Sequence, residues 1–192
     1  MNTAAASSGN SFIGLTYVDG DPVLLNNFTI PFNEIWYKSS DGNIVTPYSV
    51  NFGSGVTAVS NTYYPYRGGT GVIKLSGNAT TIGYNAFKNC TTLTSITIPD
   101  SVTSIGNYSF QECSGLTSIT IPSSVTSISI NAFNACTSLT NITSEATTPP
   151  SLDTSALDST NDCPIYVPSG SVDTYKVTSG WSDYASRIQA IQ

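Results

Sequence analysis

The sequence predicts a mainly β protein: a solenoid of stacked repeats, with a β cap at its N-terminal end and a helical cap at its C-terminal end. Three observations carry this expectation. Apolar residues recur at one fixed period through the middle of the chain. Within each period, short stretches alternate in the two-residue rhythm of strands. Both flanks lose the period yet keep apolar residues, as the ends of a repeat array must.

The period is twenty-three, read from Ile82, Ile105 and Ile128, from Phe87, Phe110 and Phe133, and from Cys90, Cys113 and Cys136. Leu93, Leu116 and Leu139 keep it, as do Ile96, Ile119 and Ile142. One unit cannot close a core by itself, but stacked units align these positions into columns. Burying each such side chain is worth roughly 1.5–3 kcal/mol. Ile-Thr-Ile reads as a short strand with its isoleucines inward, ended by Pro99 and Pro122. Val-Thr-Ser-Ile-Gly reads as a second extended segment. Asn-Ala-Phe-x-x-Cys, with apolar residues three apart, reads as a single helical or 3₁₀ turn. The frame extends back to Ile73 and Leu75, one period before Ile96 and Ile98, and forward to Ile165 and Val167. The solenoid is therefore placed at residues 70–168, about four to five coils. Its last unit is degenerate: Pro149-Pro150 breaks the run, and Leu152 with Ala156-Leu157 fits only after a one-residue slip.

Residues 169–192 read as the C-terminal cap. Residues 171–178 suit a short helix, with Ser169 or Ser171 as N-cap and Gly180 as the C′ glycine. Trp181, Tyr184, Ile188 and Ile191 are then available to cover the last coil. Residues 12–69 read as the N-terminal β cap, rich in aromatics, with a hairpin from Asn33 to Val50 turning at Ser40-Asp41-Gly42-Asn43. Residues 12–29 read as one or two strands and residues 1–11 as a flexible terminus. Residues 1–10 have neither a basic nor an apolar stretch and do not read as a signal peptide.

Composition excludes several functions. Charged residues make up 9% of the chain, and 29 serines and 26 threonines take their place. A surface kept wet by hydroxyls fits an extracellular or virion-exposed β protein. The net charge of −6 argues against nucleic acid, whose binding relies on basic side chains, and against anionic membrane surfaces. No apolar run is long enough to insert in a membrane. Histidine is absent, the 12 carboxylates are scattered, and no phosphate-binding glycine loop occurs. The chain reads as a non-enzyme with no metal and no cofactor. Cysteines spaced a full period apart lack the close pairs of a zinc site. Stacking would bring them within disulfide range, but parallel inward side chains do not aim sulfur at sulfur. They read as a ladder of buried free thiols, with Cys163 buried under the C-terminal cap.

The repeat, I-G-x-x-A-F-x-x-C…L-x-x-I-x-I-P, resembles that of the BspA-like leucine-rich-repeat family of bacterial surface proteins over residues 70–168. The tail from Cys163 to Trp181 is similar to the C-terminal cap of gut-bacterial members. The resemblance implies a leucine-rich-repeat solenoid and an adhesion role, through a glycan, a host protein or another bacterium. It further implies that Asp100-Ser101-Val102 and Asp158-Ser159-Thr160 match a short O-glycosylation motif, although both also suit plain turns.

Two candidate ligand sites follow. Thr97, Thr120 and Thr143 should point outward between the inward isoleucines, flanked by Ser95, Ser118 and Asn141. This makes a hydroxyl-lined strip suited to carbohydrate or extended peptide, although the same residues are simply good strand formers. Tyr63, Tyr64, Tyr66 and Arg67 lie on a Pro/Gly loop and offer stacking and hydrogen bonding, although they equally suit packing of the N-cap. The first expectation is an extracellular or cell-surface binding module, monomeric, that recognises a glycan or a surface protein. The alternatives are a phage virion-attached host-recognition or structural module, and a spacer without a ligand of its own.

Overall fold

The computed structural model describes residues 11–18, 21–29, 31–65 and 69–192, the side chains of 11–29 excepted. It is strand-rich, with few helical residues and no closed barrel. The repeats build two stacks of parallel strands. One runs β6 (Thr81–Ile82), β8 (Ser104–Ile105), β10 (Ser127–Ile128), β12 (Ser151–Leu152). The other contains β9 (Ser118–Ile121), β11 (Asn141–Ser144), β13 (Ile165–Val167) and β14 (Ile188–Ala190). Ile82 pairs with Ile105 and Ile105 with Ile128; Ile119 pairs with Ile142 and Ile142 with Ile165. The sequence period is thus the spacing of hydrogen-bonded neighbours. The slip is real: Ile128 pairs with Leu152, and the original spacing returns when Ile142 pairs with Ile165.

Between the sheets the chain makes the short turn expected, with a backbone feature that apolar spacing does not show. Lys88 N bonds to Asn85 O at 3.2 Å and Cys90 N to Phe87 O at 3.1 Å, the three-residue reach of a 3₁₀ turn. Yet Asn85 and Asn89 have φ of 56° and 59°, so no helix propagates. Asn tolerates the left-handed region; Tyr108, Glu112 and Ala135 adopt it at equivalent positions, at a cost. These flips turn alternate amides along the stack. Asn85, Phe87 and Asn89 donate to Asn107, Ser109 and Gln111 of the next repeat at 3.1, 2.7 and 2.8 Å. Beneath the turns Phe87, Phe110 and Phe133 stack nearly parallel, with centroids 5.4 and 5.1 Å apart.

The N-terminal end departs from the expected frame. β3 (Glu34–Ser39), β4 (Ala58–Tyr64), β5 (Thr70–Leu75) and β7 (Leu93–Ile96) form a sheet in the order β4-β5-β3-β7. Ile73 and Leu75 therefore do not neighbour Ile96 and Ile98. β3 lies between them, antiparallel to both, with Tyr37 opposite Ile96 and Ile35 opposite Ile73. Nor does β3 form a hairpin with the residues after Gly42. The tight turn exists, with Asn43 N on Asp41 Oδ1 at 3.1 Å, but residues 44–50 form no strand. They run along the turn side, where Tyr48 N bonds to Ala86 O at 2.8 Å and Gly83 N to Asn51 O at 2.8 Å. Phe52 continues the phenylalanine column, 6.1 Å from Phe87. β1 (Ser11–Val18) and β2 (Asp21–Thr29) form an antiparallel sheet of their own. The flexible terminus expected up to residue 11 lies outside the described residues as far as residue 10.

At the other end, α1 (Val172–Val177) packs Tyr175 edge-on to Trp181 at 4.9 Å, both buried. Tyr175 donates to Ala146 O at 2.8 Å, and Trp181 Nε1 to Pro150 O at 2.7 Å. Ser171 is the N-cap residue, but its hydroxyl donates to Thr147 O at 2.8 Å rather than to the helix. Gly180 has φ +83°, and a Cβ there would lie 2.1 Å from Leu152 O. Ile188 falls one period after Ile165 and pairs with it, so this segment supplies one more rung. Ile191 stays 41% exposed and does not cover the stack.

Part of the hydroxyl wealth serves this architecture. Thr103, Thr126, Thr117 and Thr140 each donate to the backbone carbonyl of the threonine one repeat earlier, at 2.9–3.2 Å. Ser109 is an exception. It stands fully buried in the column of Ala86 and Ala132, and its oxygen has no hydrogen-bond partner. A buried unsatisfied hydroxyl is destabilising. Ser109→Ala is expected to raise unfolding free energy by about 1 kcal/mol; a denaturant titration showing lost stability would mean the hydroxyl is satisfied in solution.

Candidate binding surface

The sheet containing β7 and the sheet containing β9 meet through Thr117 N, which donates to Thr94 O at 3.1 Å. Their outer faces therefore adjoin. Side chains alternate along a strand, so burial of Tyr37 and Ile35 turns Trp36 outward, and burial of Ile165 and Val167 turns Tyr166 outward. Thr97 N bonds to Trp36 O at 2.8 Å. Thr120 pairs with Thr143, Thr143 with Tyr166, and Tyr166 with Gln189. One transverse row thus reads Trp36, Thr97, Thr120, Thr143, Tyr166, Gln189. At the usual spacing between strands, its two aromatic members stand about 19 Å apart.

This row contains the predicted threonine strip and adds a ring at each side of it. Thr120 is exposed, and Thr97 and Thr143 are half-buried. Among the described residues, the hydroxyls of these three threonines make no hydrogen bond within the protein, unlike the threonine columns beside them. Ser95 lies opposite Lys38 and Ser118 opposite Asn141, in line with the expected flanks. At the N-terminal side Trp36 Nε1 donates to Glu34 Oε2 at 2.9 Å, and Glu34 pairs with Lys74 at 3.6 Å. Tyr166 was within reach of the sequence, since it falls one period after Thr143. Trp36 was not, because it sits on the reversed strand that no repeat signals.

The tyrosine loop is only partly on view. Tyr66 and Arg67 lie outside the described residues. Tyr63 and Tyr64 end β4, half-buried, and Tyr63 packs against the core. A Cβ on Gly69 would come within 2.7 Å of the Tyr63 hydroxyl, so that ring fills a slot between loops. A different aromatic group projects from the turn side, unforeseen in the sequence. Tyr48 and Tyr84 are 71% and 57% exposed, and Tyr84 meets Tyr108 edge-on at 5.9 Å. Lys88 Nζ lies 5.5 Å from the Tyr108 centroid.

Of the two motif serines, Ser101 is half-buried and donates to Ala79 O at 2.6 Å, whereas Ser159 is exposed with φ 58°. The four cysteines are free thiols. Cys113 and Cys136 donate to Phe87 O and Phe110 O at 3.0 and 3.1 Å, so each thiol holds a carbonyl of the preceding repeat. Arg187 Nε donates to Cys163 O at 2.7 Å, and its guanidinium lies 3.5 Å from Cys163 Sγ. Burial pushes the Cys90 thiol up to about 11 and Cys136 to about 12, and raises Cys113 and Cys163 as well. Burial, and then the negative charge of Asp100, raises the Glu145 carboxyl beside a shallow groove lined by Ser123, Thr126, Thr147 and Thr148.

Burial of these groups sets two expected outcomes. A thiol reagent at about pH 8 is expected to leave Cys113 and Cys136 unmodified in the folded protein and to modify both in denaturant; rapid modification of the folded chain would contradict the ladder. A carboxyl raised on folding carries no penalty below its unfolded value of about 4.3, where both states are protonated. The penalty grows as pH rises through the folded value. Glu145→Gln should therefore raise the melting temperature near pH 7 and change it little near pH 3, and a pH-independent shift would point to packing instead.

The comparison with known families covers more than the repeats counted in the sequence. Residues 49–173 match the BspA type Leucine rich repeat region, in 6 copies. The match begins where Asn51 and Phe52 hydrogen-bond to the first parallel strand, ahead of the residue 70 expected from the period. No curated protein matches the chain. With well over half of its length accounted for by these repeats, the chain belongs to the BspA-type leucine-rich-repeat family.

Proposed function

We propose that the protein is a non-enzymatic binding module: a leucine-rich-repeat solenoid closed at both ends, displayed outside the cell, that holds an extended glycan across its outer strand face. The family's general association with binding and adhesion supports the broad reading. The observation that carries the finer one is the row Trp36, Thr97, Thr120, Thr143, Tyr166, whose three hydroxyls are left uncommitted while neighbouring threonine columns bond to backbone. Aromatic faces stack on the apolar faces of sugar rings, and hydroxyls at strand spacing offer both donors and acceptors to sugar hydroxyls. The scarcity of charge fits a neutral ligand better than an acidic or basic one. The structural use of so many other hydroxyls favours a second reading, a spacer with no ligand of its own.

The test is binding of the purified chain to mucin-type glycans, extracellular-matrix proteins and intact bacterial cells, repeated with Tyr166→Ala and Thr120→Arg. Glycan affinity is expected to fall about tenfold on losing the ring, the equivalent of roughly 1.4 kcal/mol. Thr120→Arg should abolish it, and Tyr84→Ala on the turn side should leave it unchanged. Binding lost through Tyr84→Ala instead would move the site to the turn side. Binding only to matrix proteins would replace the glycan with a protein partner, and silence across the panel would favour the spacer.

A further inference from the structure

The repeat pattern breaks twice at one place. Ser144 pairs with Ile121 and Ser151 with Ser127, so six residues, 145–150, lie alongside five, 122–126. The extra residue of the long coil is thereby confined to 145–150. The acid at 145 is the second break, since the preceding repeats carry Pro99 and Pro122 in that column.

These breaks coincide with a seam that the earlier repeats keep shut. Ser101 and Ser124 donate to Ala79 O and Val102 O at 2.6 and 2.7 Å, which fastens each coil to the one before. Thr147 occupies the same column, but its hydroxyl makes no hydrogen bond among the described residues. Where the seam parts, a groove of about 620 Å³ lies between the two segments. Val125, Pro149 and Pro150 line it with apolar surface, and Ser123, Thr147 and Thr148 with hydroxyls. Glu145 stands at this groove with its backbone fixed, N to Ile121 O at 3.0 Å. Its side chain is half-buried and has neither a hydrogen bond nor an ion pair among the described residues. Burial without a partner disfavours a charge. Stability given up at one residue marks a place where function competes with folding.

The chemistry of the groove selects its occupant. Apolar walls suit an aliphatic stem, and a carboxylate beside separate hydroxyls suits the three donors of an ammonium. A guanidinium instead favours a planar, two-pronged acceptor. The net charge of −6 attracts a basic partner. We propose that the groove between residues 122–126 and 145–150 takes a lysine side chain of a protein partner, its ammonium on Glu145 and its stem against Val125, Pro149 and Pro150. No member of the row on the outer strand face lines this groove, so the assignment does not depend on what that row binds.

Nuclear magnetic resonance on the full chain tests this. The probe is N-acetyl-lysine methylamide, beside its norleucine and arginine counterparts and glucosamine. The lysine probe is expected to shift amides within 123–126 and 145–148 saturably, and the norleucine probe to bind about tenfold more weakly. Glu145→Gln should weaken the lysine probe by a similar factor while raising the melting temperature, a combination that loss of fold cannot produce. Absence of saturable shifts in those segments overturns the proposal, as does a norleucine probe that binds equally well or a variant that binds lysine unchanged. Tighter binding of the arginine probe overturns the choice of lysine, and binding of glucosamine in its place replaces the protein partner with an amino sugar. Should the variant fail to fold, the comparison of lysine with norleucine on the wild type decides.

Discussion

The rest of the structure depends on one constraint: the backbone of every repeat hydrogen-bonds to the repeats before and after it. Thr103 N reaches back to Thr80 O and Thr126 N to Thr103 O, at 2.9 and 2.8 Å, while Phe87 N and Phe110 N reach forward to Ser109 O and Ala132 O. Buried backbone groups must be paired, so a unit of different length would leave donors without acceptors. The constraint is local rather than absolute. The extra residue before Leu152 moves Phe133 N onto Ala156 O, and a compensating shortening afterwards lets Ile142 meet Ile165 in the old register. The period is a condition on hydrogen bonding first and on apolar packing second.

That ordering explains the composition. A hydroxyl at the edge of a strand can donate to the carbonyl one repeat earlier, and Thr117 and Thr140 do so in succession. The thiols act in the same manner, with Cys113 and Cys136 holding the carbonyls of Phe87 and Phe110. Charged side chains would serve poorly in these places, since desolvating them costs far more than desolvating a hydroxyl. Ser109 and Glu145 mark where a column departs from its pattern. One is a hydroxyl in an alanine column with nothing to bond, and the other an acid where neighbouring repeats carry Pro99 and Pro122.

The repeats were legible because identical columns must stack, and that condition involves side chains the sequence displays. The turns were legible in part: the three-residue hydrogen bonds of Lys88 to Asn85 and Cys90 to Phe87 fit the short turn expected, but apolar spacing does not show what keeps it from continuing as a helix. What decides the matter is the left-handed backbone at Asn85 and Asn89, which asparagine permits but does not require. The N-terminal end, by contrast, was misread. Ile73 and Leu75 do obey the repeat spacing, yet β3 occupies the place beside β7. An antiparallel strand inserted from earlier in the chain carries no periodic mark, so Trp36 could not be assigned to the outer face. Tyr166 could have been, by carrying the threonine column one repeat further.

The same constraint separates the parts of the surface that are free to bind from those that are not. Columns whose hydroxyls hold the preceding repeat cannot turn to a ligand without giving up that bond. The column of Thr97, Thr120 and Thr143 lies between inward-facing neighbours, Ile96 and Ile98, Ile119 and Ile121, and Ile142 and Ser144, and bears no such duty. Its positions can vary in side chain without disturbing the register, as Tyr166 and Gln189 already do. Recognition on a stack of this kind is therefore expected along rows that cross the strands, where each repeat adds one side chain at a fixed spacing. A ligand long enough to span several strands gains from that arrangement, whereas a compact one touches only one or two of its members.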